Sequence, residues 1–117
     1  MFSKPGFSKQ EALRIWHNTL VESVRRDGPD LSTRQLAILL QIYMENAPHT
    51  VRGISENLNM PKSSVRRALD RLVDLNFLKC ERDFHHKRNI LVRRTVLGAQ
   101  FLSDFSNIIF VAASKDH

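Results

Sequence analysis

The chain is 117 residues long and carries 18 Lys and Arg against 12 Asp and Glu, a formal net charge of +6. That length fits one domain of ordinary size, and 42% hydrophobic residues are enough for a core and too many for a disordered chain. A single cysteine, Cys80, excludes an internal disulfide framework and a multi-cysteine zinc site.

The longest unbroken apolar run, Ile108–Ala113, falls far below the roughly 20 residues of a membrane span, and the start lacks the apolar core of a secretory signal. The expectation is a soluble cytoplasmic protein, a single domain over residues 1–117 with a basic face.

Phe7-Ser8-Lys9-Gln10-Glu11 opens the first element as a capping box: Ser8 can accept from the first free amides, and Glu11 can reach back to Ser8. Leu13, Trp16, Leu20 and Val24 follow at helical spacing, so a helix is predicted from about Lys9 to Arg26, stopped by Asp27-Gly28-Pro29. Leu31-Ser32-Thr33-Arg34-Gln35 repeats the same grammar. The second helix has Leu36, Leu39, Leu40 and Tyr43 as its buried stripe, widened by Ile38 and Ile42, and is apolar enough to be central. It ends before Pro48, because the residue preceding proline resists the helical region.

Thr50 begins a short third helix with Val51, Ile54 and Leu58 facing inward. Asn59-Met60-Pro61 is a tight connection, and proline suits a helix start. The fourth helix is predicted from about Lys62 to Leu75, with Val65, Ala68, Leu69 and Leu72 on one face and Asn76 as a left-handed cap. The period then changes. Phe77–Arg82 and Asn89–Arg93 alternate roughly, and the polar segment between them carries His85, His86, Lys87 and Arg88, which reads as a β-hairpin with a charged tip. Thr95 can cap a last helix bearing Val96, Leu97, Phe101, Leu102, Phe105, Ile108 and Ile109.

Two short helices joined by a tight turn and followed by a hairpin make a winged helix-turn-helix, mainly α with a small β-hairpin. The charge is placed to match. Between His49 and Arg94 lie eleven cations and five anions, which accounts for the whole positive excess. With Val65 turned to the core, a rotation of about 100° per residue sends Ser63, Arg67, Asp70 and Asp74 outward, flanked by Ser64, Arg66 and Arg71. Arginine pairs bidentately with guanine, and serine serves bases or phosphates. Lys62 and the free amides of the helix start suit a phosphate. The candidate DNA-contacting residues are therefore Lys62, Ser63, Ser64, Arg66, Arg67 and Arg71 on the fourth helix, with Lys87 and Arg88 on the hairpin tip. The alternative for this face is a solvated helix with an Arg66–Asp70 ion pair. His85 and His86 have only scattered partners for a metal, so no metal or cofactor is expected. Cys80 is expected to be buried in its strand, and Lys79 and Arg82 would lower its pKa if it were exposed.

The run from Leu31 to Gly98 resembles the MarR-type (multiple antibiotic resistance regulator) winged-helix family. The resemblance rests on Leu58-Asn59-Met60-Pro61-Lys62-Ser63-Ser64-Val65, on Leu69-Asp70-Arg71-Leu72, on Asn76-Phe77-Leu78, on the wing piece Asp83-x-x-His86-x-Arg88 and on Thr95-x-x-Gly98. It implies a homodimeric double-stranded DNA-binding transcriptional regulator, a repressor by expectation, on a pseudo-palindromic operator. It puts residues 31–94 in the winged core and residues 7–27 and 95–113 in dimerisation helices. A small-molecule effector is implied by the resemblance alone. His86 stands where the family usually has an acid before the wing arginine, Arg94 stands where a leucine is common, and one C-terminal helix takes the place of the usual pair.

The terminal helices point to a dimer independently. Trp16, Leu20, Phe101, Phe105, Ile108 and Ile109 offer more apolar surface than a small core covers, and such patches mark interfaces. No glycine-rich phosphate loop, paired-carboxylate motif or metal-ligand spacing appears, so an enzyme is not expected. The competing readings are a winged-helix protein-interaction module and a phage or plasmid replication or partition protein.

Overall fold

The computed structural model describes residues 6–82 and 90–114. The chain divides into two compact units, and one of them, Pro29–Leu102, holds the winged core. Its elements are α2 (Thr33–Met44), α3 (Val51–Leu58), α4 (Lys62–Asp74), β1 (Leu78–Arg82), β2 (Ile90–Arg94) and the first turns of α5 (Val96–Ser114). The other unit combines α1 (Lys9–Arg25) with the part of α5 from Ser103 onward.

Local sequence sets the helix ends. Ser8 Oγ accepts from the Glu11 amide at 3.1 Å and the Glu11 carboxylate accepts from the Ser8 amide at 3.1 Å; Ser32 and Gln35 repeat this box at 3.1 and 2.9 Å. The Thr50 hydroxyl accepts from the Gly53 amide at 3.0 Å and starts α3. Both ends of the α3–α4 pair close on asparagines in the left-handed region, Asn59 at φ 53° and Asn76 at φ 61°, a conformation asparagine tolerates better than other side chains do. After α4 the Phe77 amide reaches back to the Leu72 carbonyl and the Asn76 amide to that of Val73, which satisfies carbonyls left free at the helix end.

β1 and β2 pair antiparallel, Leu78 opposite Arg94 and Arg82 opposite Ile90. The loop before α3 adds a short third edge: Thr50 bridges Leu91, and the Val92 amide donates to the His49 carbonyl at 2.9 Å. His49 itself is buried, and its Nε2 has no hydrogen-bond partner among the described residues. The hairpin tip, with His85, His86, Lys87 and Arg88, lies outside the described residues.

The core of this unit is Ile38, Leu39 and Ile42 from α2, Val51 and Ile54 from α3, Val65, Ala68, Leu69 and Leu72 from α4, with Phe77, Leu78 and Val92. Each large aliphatic side chain so buried contributes about 1.5–3 kcal/mol. The α4 stripe is the expected one. The α2 stripe is rotated: its buried line is Ile38, Leu39 and Ile42, while Leu36, Leu40 and Tyr43 are only half-buried. A helix apolar on most sides does not fix its own rotation; here the Tyr43 hydroxyl is drawn to main-chain groups at the edge of the core.

In the first turn of α5 the Thr95 hydroxyl accepts from the Gly98 amide at 3.0 Å, and Phe101 stacks on Phe77 with ring centroids 4.5 Å apart. By length and composition α5 is apolar enough to cross a membrane, which corrects the exclusion drawn from unbroken runs; Ser103, Asp104, Ser106 and Asn107 interrupt the run without breaking the helix. Its first turns are nonetheless built into the winged core. In the α1 unit, Thr19, Ile108 and Ala112 are buried, and the Thr19 hydroxyl donates to the Ile15 carbonyl at 2.7 Å.

Candidate nucleic-acid interface

The inward stripe of α4 fixes what its other side presents. With Val65, Ala68, Leu69 and Leu72 in the core, Lys62, Ser63, Arg66, Arg67 and Arg71 are exposed and Ser64 is half-buried. One bond organises this face: Arg67 Nη2 donates to Ser64 Oγ at 3.5 Å. Pro61 caps the helix without a side-chain hydrogen bond, its carbonyl accepting from the Ser64 and Val65 amides, so the amides of Lys62 and Ser63 point to whatever approaches the helix start.

The cations of the central block divide into two groups. Arg52 pairs with Glu56 at 3.2 Å, and Glu81 takes Arg93 at 2.8 Å and Lys79 at 3.6 Å. These bonds hold the Glu81 carboxyl below the ordinary carboxylate range, first through the Arg93 hydrogen bond. Arg94 turns inward: its guanidinium donates to the Ile42 carbonyl at 2.8 Å and the Glu45 carbonyl at 3.0 Å, and lies 5.6 Å from the Tyr43 ring centre. It therefore satisfies carbonyls at the end of α2, while the residue as a whole stays exposed. Lys62, Arg66, Arg67 and Arg71 form no ion pair among the described residues. The Arg66–Asp70 pair, the alternative account of this face, is absent there too.

Cys80 departs from its expectation twice. It is exposed, because only Leu78 of β1 faces the core. Its thiol pKa is raised, by partial burial of the sulfur and by the negative charge of Asp70 on α4, with no lowering from Lys79 or Arg82.

The residues expected at a subunit interface separate. Trp16, Leu20 and Ile109 are exposed, Phe105 and Phe101 are half-buried, and Ile108 retains only 7% exposure. Ile108 thus packs within the α1 unit, and Phe101 stacks on Phe77 in the winged unit while staying half-buried. The bare apolar surface includes Leu13, Val24 and Phe110, with Val24 81% and Phe110 70% exposed. It also includes Val96, Leu97 and Val111, which sequence reasoning had not placed outside. A helix as uniformly apolar as α5 gives no periodic signal to separate its faces.

Sequence reasoning also passed over Tyr43 and Arg94 as structural joints. The basic residue standing before Thr95 was the one available signal. Among the described residues no group of three or more His, Cys, Asp or Glu is arranged to hold a metal ion.

A family model described as the MarR family matches residues 30–89. No curated protein matches. Among solved structures, the fold is similar to transcriptional regulator Tm0710 from Thermotoga maritima, at TM-score 0.69 and 18% identity, covering 86% of this chain and 68% of that one. It is also similar to reduced AbfR from Staphylococcus epidermidis bound to DNA, at TM-score 0.67 and 21% identity, covering 92% and 73%. A mutant of MarR from E. coli in complex with operator DNA matches at TM-score 0.66 and 20% identity, covering 86% and 66%.

Proposed function

The chain belongs to the MarR family, and from that premise we propose that it is a sequence-specific double-stranded DNA-binding transcriptional regulator, acting as a homodimer that represses by occupying a pseudo-palindromic operator. The observation that carries this reading is the outer face of α4, where Lys62, Arg66, Arg67 and Arg71 stand exposed and outside every ion pair of the described residues. In a major groove this face sets Arg66 and Arg67 against base edges. Ser63, Ser64 and the helix start face phosphate oxygens. Lys87 and Arg88 are assigned to the wing's contact with the minor groove or backbone. The DNA complexes of AbfR and of the MarR mutant support the same kind of partner for this chain.

The dimer is assigned to the terminal helices, with Trp16, Leu20, Phe105 and Ile109 joined by Val24 and Phe110. A two-fold axis then sets two α4 helices about one DNA turn apart, ~34 Å. An effector pocket remains part of the proposal on family grounds alone.

A gel-shift titration tests the reading. Binding to a random duplex is expected to weaken steeply between low and moderate salt, since each neutralised phosphate releases counterions. The double variant Arg66→Ala/Arg67→Ala is expected to lose at least about tenfold in affinity for a selected duplex, as each bidentate base contact contributes about 1–3 kcal/mol, with its oligomeric mass unchanged. Salt-insensitive or absent binding refutes the proposal in favour of a protein-interaction module.

A further inference from the structure

Residues 94–98 carry the chain from β2 into α5, and the phenol of Tyr43 stands at the centre of the bonds that tie this junction to the rest of the winged unit. The Tyr43 hydroxyl, on α2, accepts from the Thr95 amide at 2.9 Å. It lies 2.9 Å from the Phe77 carbonyl and 2.9 Å from the Thr95 carbonyl, its single proton serving either. Thr95 extends the knot in the other direction: its hydroxyl donates to the Asn76 carbonyl at 2.7 Å and accepts from the Gly98 amide at 3.0 Å. Asn76 and Phe77 are the turn that ends α4, and Gly98 is the first turn of α5. A Cβ on Gly98 would overlap the Tyr43 hydroxyl and the Phe77 carbonyl, so the backbone of α5 approaches this point as closely as glycine permits. Arg94 secures the same strand end to the α2 terminus.

We infer that Tyr43 is a positioning residue: its hydroxyl fixes the first turn of α5 against the exit of α4, and thereby the distance at which a dimer holds its two α4 helices. This rests on the dimeric DNA-binding reading above. Among the described residues the Tyr43 hydroxyl bonds to Phe77 and Thr95, neither of them a proposed DNA contact. Loss of its hydroxyl should therefore leave each α4 surface intact and relax only the geometry between the two surfaces.

The test uses the full chain and a palindromic duplex selected from a random library with the wild-type protein. Three affinities are compared: for that duplex, for the same duplex with one base pair inserted between half-sites, and for a single half-site. Wild type is expected to prefer the selected spacing by about tenfold or more, because two docked helices tolerate little displacement. Tyr43→Phe keeps the ring beside Arg94. It is expected to reduce that preference to about threefold or less while binding the half-site within about twofold of wild type. Amide exchange at Gly98 should quicken in the same variant. Thr95→Val, which removes the bonds to Asn76 and Gly98, supplies the second variant should Tyr43→Phe unfold, and should show the same flattening. Full spacing preference in a folded Tyr43→Phe overturns the inference, and so does an equal loss on all three duplexes. If wild type does not distinguish palindrome from half-site, the dimeric reading fails, and this inference with it.

Discussion

Cys80 shows how partial burial, and then a neighbour on another element, set the chemistry of a side chain. The sequence surrounds it with Lys79 and Arg82, yet the charge that acts on the sulfur is that of Asp70 from α4. A raised pKa means less thiolate at neutral pH, and the thiolate is the nucleophile. Cys80 is therefore expected to react with iodoacetamide at pH 8 more slowly than a free cysteine, and Asp70→Asn should quicken it. A wild-type rate above that of free cysteine contradicts the assignment. Arg94 makes the parallel point for charge counting. It belongs to the basic block by composition, but its guanidinium is committed to the carbonyls of Ile42 and Glu45. Contacts separated by some 50 positions leave no local trace, so neither partner was legible from sequence. The outward arginines of α4 were legible, because Val65, Ala68, Leu69 and Leu72 repeat at helical spacing and leave one rotation available.

At the level of elements, the same contrast holds. Helix starts were legible because a capping box is a local hydrogen-bond pattern written within a few residues, as at Ser8–Glu11 and Ser32–Gln35. The rotation of α2 was not, since apolar residues nearly surround it and its orientation is set by distant contacts, among them the reach of Tyr43 to Phe77 and Thr95. The same junction makes α5 intolerant at its start. Gly98→Ala is expected to cost about 1–3 kcal/mol by overpacking, read by urea denaturation; an unchanged midpoint would show that Tyr43 yields freely. The hairpin carries its own titration. Glu81 is held below its ordinary pKa of 4.5 by Arg93 and Lys79. A folded pKa below the unfolded one contributes stability above the unfolded value and loses it as pH falls through the folded one. The melting temperature of wild type should therefore exceed that of Glu81→Gln at pH 7, with the gap closing as pH is lowered beneath 4.5. A gap that persists at pH 3 removes the ionic explanation. Salt should narrow it at pH 7 too, because these side chains are exposed.

For the molecule as a whole, the distribution of surface types says more than the total charge. The winged unit buries a continuous core from α2, α3 and α4, whereas α1 and α5 leave Leu13, Val24, Val96 and Phe110 largely uncovered. If a second copy covers them, association and folding are linked, and the melting temperature should rise as protein concentration is raised a hundredfold. A midpoint independent of concentration across that range, with a monomer mass throughout, rules out the dimer. The same bare helices have a consequence for the life of the chain in a cell. A newly made copy that has found no cover presents Val24 and Phe110 to chaperones, proteases and its own kind alike. If a second copy supplies that cover, survival depends on abundance, because mass action fills the dimer only as copies become concentrated.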